Sequence, residues 1–319
     1  MTFMAIFLVL LLAMTAVSSG PIGDSLIALN CFGANLFLVT AYNAAFPDPL
    51  QFLHGKFIVT GLLGLGLYCL SSLYREAHAE EVKAMRELPL RQQAIFLAGP
   101  GFAQVCFELA ASLAYMSDIE ASGVNSAIIT SDPVVIGLFF YFYSGEKFSY
   151  RRLLGCALAM CGAITIGFFS GAETGEGSGG QGLVAILFCV FSMLSLASCT
   201  IASRLGAFAG VSTVGASACR CLTIGLLGLC LLFAEFAVGL RVASSITISW
   251  ALVAAGFDAL GIYSVTRSFM YPGVITAVNG AILAACSVVN LILCLALLGL
   301  QQPPGKYVGM AITLSGIMV

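Results

Sequence analysis

Val124-Asn125-Ser126-Ala127-Ile128 and Val278-Asn279-Gly280-Ala281-Ile282 match without a gap at a separation of 154 residues. The same shift carries Gly145 to Gly299, Gly155 to Gly309 and Gly162 to Gly316. Nearer the start of each half the separation becomes 164, so that Lys56 meets Arg220 and Gly61-Leu62-Leu63-Gly64-Leu65 meets Gly225-Leu226-Leu227-Gly228-Leu229. The difference is what the long polar link from Arg75 to Arg91 would add to the first half. Leu- and Gly-rich stretches match by chance, but polar anchors coinciding in the same order (Asn125 with Asn279, Lys56 with Arg220) mark an internal repeat.

Composition says what is being repeated. Of 319 residues 60% are hydrophobic and 9% charged, and the mean hydropathy is +1.04. A soluble domain carries about 25% charged residues to hold its surface in water. The shortage excludes a soluble enzyme, a secreted disulfide domain, a disordered chain and a nucleic-acid-binding domain. Apolar runs long enough to cross a bilayer, about 20 residues each, fall near 25–45, 51–73, 93–117, 121–143, 151–171, 182–206, 211–239, 246–270, 274–299 and 305–319. The expected fold is therefore an all-α integral membrane protein of ten transmembrane helices. Residues 25–171 form the first five-helix repeat, a Gly/Ser-rich linker occupies 172–181, and 182–319 form the second repeat.

An odd number of spans per repeat sends the second copy into the membrane from the opposite side, which relates the copies by a pseudo-two-fold axis in the membrane plane. The basic residues fit. Links after the second, fourth, sixth and eighth spans carry nine, namely Arg75, Lys83, Arg86, Arg91, Lys147, Arg151, Arg152, Arg204 and Arg267, whereas the other face carries two, Arg241 and Lys306. By the positive-inside rule the termini of the ten-helix core face the cytosol, in the plasma membrane or an endomembrane.

Two terminal features stand apart. Residues 1–24 include a short apolar core and small residues at Val17-Ser18-Ser19, like a signal peptide without basic residues ahead of it. Cleavage there would invert the charge bias, so an additional uncleaved apolar segment is the expectation. At the other end Val319 falls against Thr165, and the tenth helix is expected to be short.

Chemistry in such a chain lies with polar groups at bilayer depth, each costing about 2.5–3.5 kcal/mol at a helix centre. Glu108, Asp132, Arg220 and Asp258 fall there, with Lys56 and Glu235 nearer span ends. Gln104, Glu108, Ser112 and Tyr115 share one helical face, and Asp258 is the repeat partner of Gln104. Asn125 and Asn279 stand early in the fourth and ninth spans, Asp132 precedes Pro133, and Asn35 and Tyr42, seven apart, share a face of the first. Apart from Lys56 and Glu235, these eleven polar residues (Asn35, Tyr42, Gln104, Glu108, Ser112, Tyr115, Asn125, Asp132, Arg220, Asp258 and Asn279) are candidates for a central substrate cavity. The competing explanation is polar bonding between helices. Lys56 and Arg220 could meet an anion or pair with Glu108 or Asp258, and Lys56 is expected to snorkel to the interface. The glycines at 61, 64, 225 and 228 are expected to permit close helix contact. The 12 cysteines lie in apolar stretches without C-x-x-C spacing, and the two histidines, His54 and His78, are too few for a metal site or a catalytic triad. No cofactor, no metal and no enzymatic activity is expected.

Segment 97–170, with Gly99, Tyr115, Pro133, Gly145-Glu146, Ser149, Gly155 and Gly162, resembles the repeat unit of the drug/metabolite transporter superfamily in its EamA-like branch. That unit has a Pro midway in its fourth helix, a Gly-Glu at the end of that helix and a Gly-rich fifth helix. Lys56 and Arg220 fall where the family often has a basic residue in the second helix of each repeat. The second half departs from the pattern at Ser287 and Leu300. The resemblance implies a ten-helix carrier working by alternating access. Small organic metabolites, such as amino acids or amines, are the expected substrates. Nucleotide sugars or phosphorylated sugars, whose carriers share the architecture, are the alternative, and a non-transporting receptor or scaffold is another. Expected partners are the small-molecule substrate and the lipid bilayer, with a homodimer left open and no nucleic acid.

Overall fold

In the computed structural model, the residues described are 20–46, 49–73, 87–117, 131–145, 179–238, 245–271, 286–299 and 304–318, with isolated positions at 83, 128–129, 150–151, 154–155, 157–158, 161–162, 165 and 283. Among them the regular structure is helical, with no strand. This is the expected form in a bilayer, where a backbone polar group has no water and is satisfied within its own helix. The elements are α1 (Pro21–Ala45), α2 (Pro49–Leu73), α3 (Leu90–Ser117, with a wide π-turn over Ala94–Ala98), α4 (Asp132–Ser144) and α5 (Gly179–Phe208). Then follow α6 (Thr213–Val238), α7 (Ser245–Met270), α8 (Cys286–Leu293, continuing as a π-turn over Cys294–Leu298) and α9 (Pro304–Met318).

Six of these helices (α1, α2, α3, α5, α6 and α7) are long and apolar enough to cross a membrane, and α4 and α9 include shorter apolar helices. The chain is a multi-pass membrane protein. The expected fifth span is represented only by isolated positions, and the N-terminal segment 1–19, Asn125 and Asn279 lie outside the described residues. Proline opens α1, α2 and α9, where the missing N–H would have no partner in the first turn anyway. Glycine closes α4 and α8: Gly145 (φ 66) and Gly299 (φ 64) take the left-handed conformation, and their N–H groups return to the carbonyls of Phe140 and Cys294. Both pairs of equivalents are 154 apart.

The packing repeats these offsets. A Cβ built on Gly61 would sit 2.5 Å from Cα of Gly225, and one on Gly225 would sit 2.6 Å from Cα of Gly61. To one side Gly64 faces Cys221, and to the other Gly228 faces Phe57. Subtracting or adding 164 turns the first contact into the second. Residues rise along α2 as they fall along α6, so the two helices pack antiparallel about a point of local two-fold exchange. The flanking pairs follow. Tyr42 of α1 lies against Trp250 of α7, at 6.5 Å between ring centroids, and Gly206 of α5 lies against Phe96 of α3. Gly33 of α1 packs on Val289 and Cys286 of α8, while Ala197 of α5 clusters with Val135 and Ile136 of α4. Small residues at these crossings let backbones approach, the usual source of helix association where lipid supplies no hydrophobic drive.

Candidate functional site

Where α2 and α6 meet α3 and α7, five polar side chains converge. Lys56, Gln104 and Asp258 are fully buried, Glu108 is 3% exposed and Arg220 4%. The Lys56 ammonium donates to Glu108 Oε2 and lies 3.5 Å from Asp258 Oδ2. Gln104 donates through Nε2 to Glu108 Oε1 at 2.7 Å and to Asp258 Oδ1 at 3.4 Å. Its Oε1 accepts from Arg220 Nη2 at 2.6 Å. Two formal positive and two formal negative charges balance, as burial in hydrocarbon demands.

This network follows the exchange seen in the packing. The contact between Gln104 and Asp258 joins a residue to its own equivalent, 154 later. Arg220 with Gln104 is the counterpart of Lys56 with Asp258. Glu108 departs from the exchange, because its equivalent is Ile262, and its carboxylate draws the Lys56 side to itself. Lys56 therefore does not snorkel to the interface as expected. Carboxylates on two neighbouring helices supply what water would have supplied, and the ammonium stays inside.

Beside the network lies a small cavity of about 40 Å³, most of its wall apolar. Gln104 and Arg220 join the network to it, and Asp132 stands at the start of α4. Several wall positions are again equivalents: Phe32 with Leu196, Leu36 with Thr200, and Asp132 with Cys286.

The other candidates are distributed around it. Ser112 and Tyr115 are buried on the same face of α3 as Gln104 and Glu108, with Ser112 Oγ taking a hydrogen bond from Asn43 Nδ2 at 3.1 Å. Neither is in the wall. Tyr42 belongs to an aromatic stack with Phe46 and Phe52, at 4.7 and 4.6 Å between centroids, and its hydroxyl is 3.0 Å from Thr247 Oγ1. Asn35 is buried in α1, with Leu36 rather than Asn35 in the cavity wall. Glu235 and His54 are brought together at the outer end of the α2–α6 crossing, 2.9 Å apart, a pairing that spacing along the chain gave no hint of. The apolar wall residues Phe32, Leu196 and Phe269 were not anticipated either. The available signal was that positions 36 and 200 are equivalent yet differ in polarity.

No family model matches the chain and no curated protein matches it. One solved structure, described only as "Crystal structure of protein", has a TM-score of 0.62 at 17% identity, covering 92% of this chain and 94% of its own. At that identity the likeness is one of fold alone.

Proposed function

We propose that this chain is a transporter of small organic metabolites that works by alternating access, a member of the drug/metabolite transporter superfamily with ten helices in two inverted five-helix repeats. The observation that carries the proposal is the cavity whose walls exchange under the 154 and 164 offsets. An antiparallel crossing of equivalent helices has its two-fold axis perpendicular to them, hence in the membrane plane if both span it. A central site on such an axis, at the interface of repeats, is where secondary transporters bind substrate before the bundles rock. The core termini face the cytosol, on the strength of the basic-residue bias.

Substrate chemistry follows from the wall. Phosphorylated and nucleotide-linked sugars call for several cationic groups, and Arg220 is the one basic residue among the described residues of the wall. A mostly apolar cavity with a few placed polar groups instead fits a small, partly apolar metabolite. Glu108 and Asp258 are the groups through which a proton could be coupled to transport.

The experiment is uptake and counterflow in proteoliposomes, guided by a thermal-shift screen of the purified protein with amino acids and amines in one arm and nucleotide sugars in the other. Stabilisation followed by counterflow of an amino acid or amine supports the proposal. Binding without counterflow would identify a receptor instead, and counterflow of nucleotide sugars alone would select the other substrate class. Uptake unchanged by a pH gradient, with Glu108→Gln and Asp258→Asn both fully active, would remove proton coupling.

A further inference from the structure

The cavity, about 40 Å³, has room for no more than a few waters, so helices must part before a metabolite enters it. It also lies off centre. Val265 and Phe269 of α7 are in its wall, whereas their equivalents 154 residues earlier, Ala111 and Tyr115 of α3, are not. Beneath it Ala28 of α1 packs with Val265 and Phe269, and beyond Phe269, where α5 and α7 end, polar ties join α1, α5 and α7. The Arg204 guanidinium of α5 donates to the Phe269 carbonyl, one of the last carbonyls of α7, which lack partners in their own helix. Arg267 of α7, half exposed, lies 3.3 Å from Asp24 of α1, whose side chain is 10% exposed, and Tyr271 hydrogen-bonds with both.

The repeat puts a different set at the opposite end. Asp24 and Arg267 correspond to Phe188 and Leu113, which carry no charge. Arg204 and Tyr271 correspond to Thr40 and Ser117, whose hydroxyls donate to carbonyls of their own helices. Tyr115 is fully buried there, and the ties from α3 to α1 and α5 are neutral: Asn43 to Ser112, and Ser192 to the Phe107 carbonyl.

We propose that Asp24 and Arg267, backed by Arg204 on the Phe269 carbonyl, form an ionic latch that shuts the cavity at the end of α7, and that parting Asp24 from Arg267 opens the cavity on that side while the Tyr115 end stays shut. The inference rests on the proposed carrier's need to open one side at a time. An ion pair with one half-exposed member suits that duty. It is weak, salt ions reach the guanidinium, and Asp24 is in the first turn of α1, where a helix end favours a carboxylate even without its partner.

The test uses the full chain in detergent, with its own cysteines as reporters. Cys286, 5% exposed, is in the cavity wall, and Cys189, fully buried, lies near Tyr115 at the other end. Labelling of each by a water-soluble maleimide is followed by peptide mass mapping in the parent, in Asp24→Asn, in Arg267→Gln and in the exchanged pair Asp24→Arg with Arg267→Asp. Either single variant is expected to label Cys286 about two- to five-fold faster, the shift that one partly exposed ion pair supplies, with Cys189 unchanged. The exchanged pair should return toward the parent rate. High salt should speed Cys286 labelling in the parent and not in Asp24→Asn. Unchanged Cys286 labelling in both single variants would overturn the inference, and so would equal acceleration at Cys189, the mark of general loosening. Counterflow separates the two claims. Counterflow of a solute with Cys286 labelling indifferent to the ion pair defeats the latch and keeps the carrier. Latch-dependent labelling without counterflow of any solute keeps the latch and defeats the carrier.

Discussion

Gly61 of α2 and Gly225 of α6 touch backbone to backbone, each occupying the space that a Cβ on the other would need. The obstacle is main chain rather than a flexible side-chain end, so neither helix can yield without sliding along the other. Gly61→Ala and Gly225→Ala are each expected to destabilise by about 1–3 kcal/mol, the usual cost of overpacking, and by similar amounts because the positions are equivalent. The double variant should lose less than the sum, since the first substitution already separates the helices. Gly66→Ala and Gly256→Ala, where nothing lies within 4 Å of the added Cβ, serve as controls and should hold or gain stability. Melting of the purified protein reads all five. Equal tolerance at all four glycines would mean that the crossing is looser than described.

Lys56 and Glu108 form a pair whose two members are not equally dispensable. Removing the ammonium leaves Glu108 and Asp258 buried with no cation paired directly to either, Arg220 reaching them only through Gln104, whereas removing the Glu108 charge leaves Lys56 with Asp258 at 3.5 Å. Lys56→Met is expected to cost about 3–5 kcal/mol, as breaking one side of a buried pair does. Glu108→Gln should cost clearly less, and adding it to Lys56→Met should restore part of the loss. Thermal melting of the four proteins gives the coupling. A Lys56→Met protein as stable as the parent would show that the carboxylates need no cation there.

Which parts of this arrangement could be read from the chain depends on what each residue's neighbours had to supply. The offsets of 154 and 164 were legible because glycines and charged anchors recur at fixed separation, and the same offsets relate Gly64–Cys221 to Gly228–Phe57 in the packing. The inward face of α3 was legible because Gln104, Glu108, Ser112 and Tyr115 follow helical spacing. The fate of Lys56 was not: snorkelling or pairing is decided by the helices opposite, and a single chain segment is silent about those. Asn35 and Tyr42 illustrate the same gap, since seven-residue spacing establishes a shared face without saying whether that face meets a cavity or Phe46 and Phe52. Phe32 and Leu196 were harder still. In a membrane both lipid-facing and cavity-facing positions are apolar, so hydropathy does not separate them.

Gly145 and Gly299 end α4 and α8 in the left-handed conformation, at φ 66 and 64. A side chain there meets the steric cost that disfavours this region, about 1–2 kcal/mol per residue, and asparagine bears it better than most. Stability is expected to fall in the order Gly, Asn, Ala, Val at each position, with matching spacing at the two. Melting temperatures of the six variants measure it. If alanine is as good as glycine at either site, that helix ends without needing the cap.

Orientation is the last consequence, and it joins the charge bias to contacts within the bundle. Arg267, near the end of α7, lies 3.3 Å from Asp24 at the start of α1, and Arg204 near the end of α5 donates to the carbonyl of Phe269. These contacts gather the start of α1 and the ends of α5 and α7 at one side of the bundle. Under the proposed topology, drawn from the basic-residue rule, that side would be cytosolic and the link after the fifth span translocated. A loop carrying an N-glycosylation acceptor, inserted at 172–178 and expressed in a eukaryotic host, is expected to be modified. The same loop placed after Gly145 should remain unmodified, because that link lies with the basic residues. The reverse pattern would place Arg267 on the translocated side and show that contacts inside the bundle, rather than the positive links, set how this chain enters the membrane.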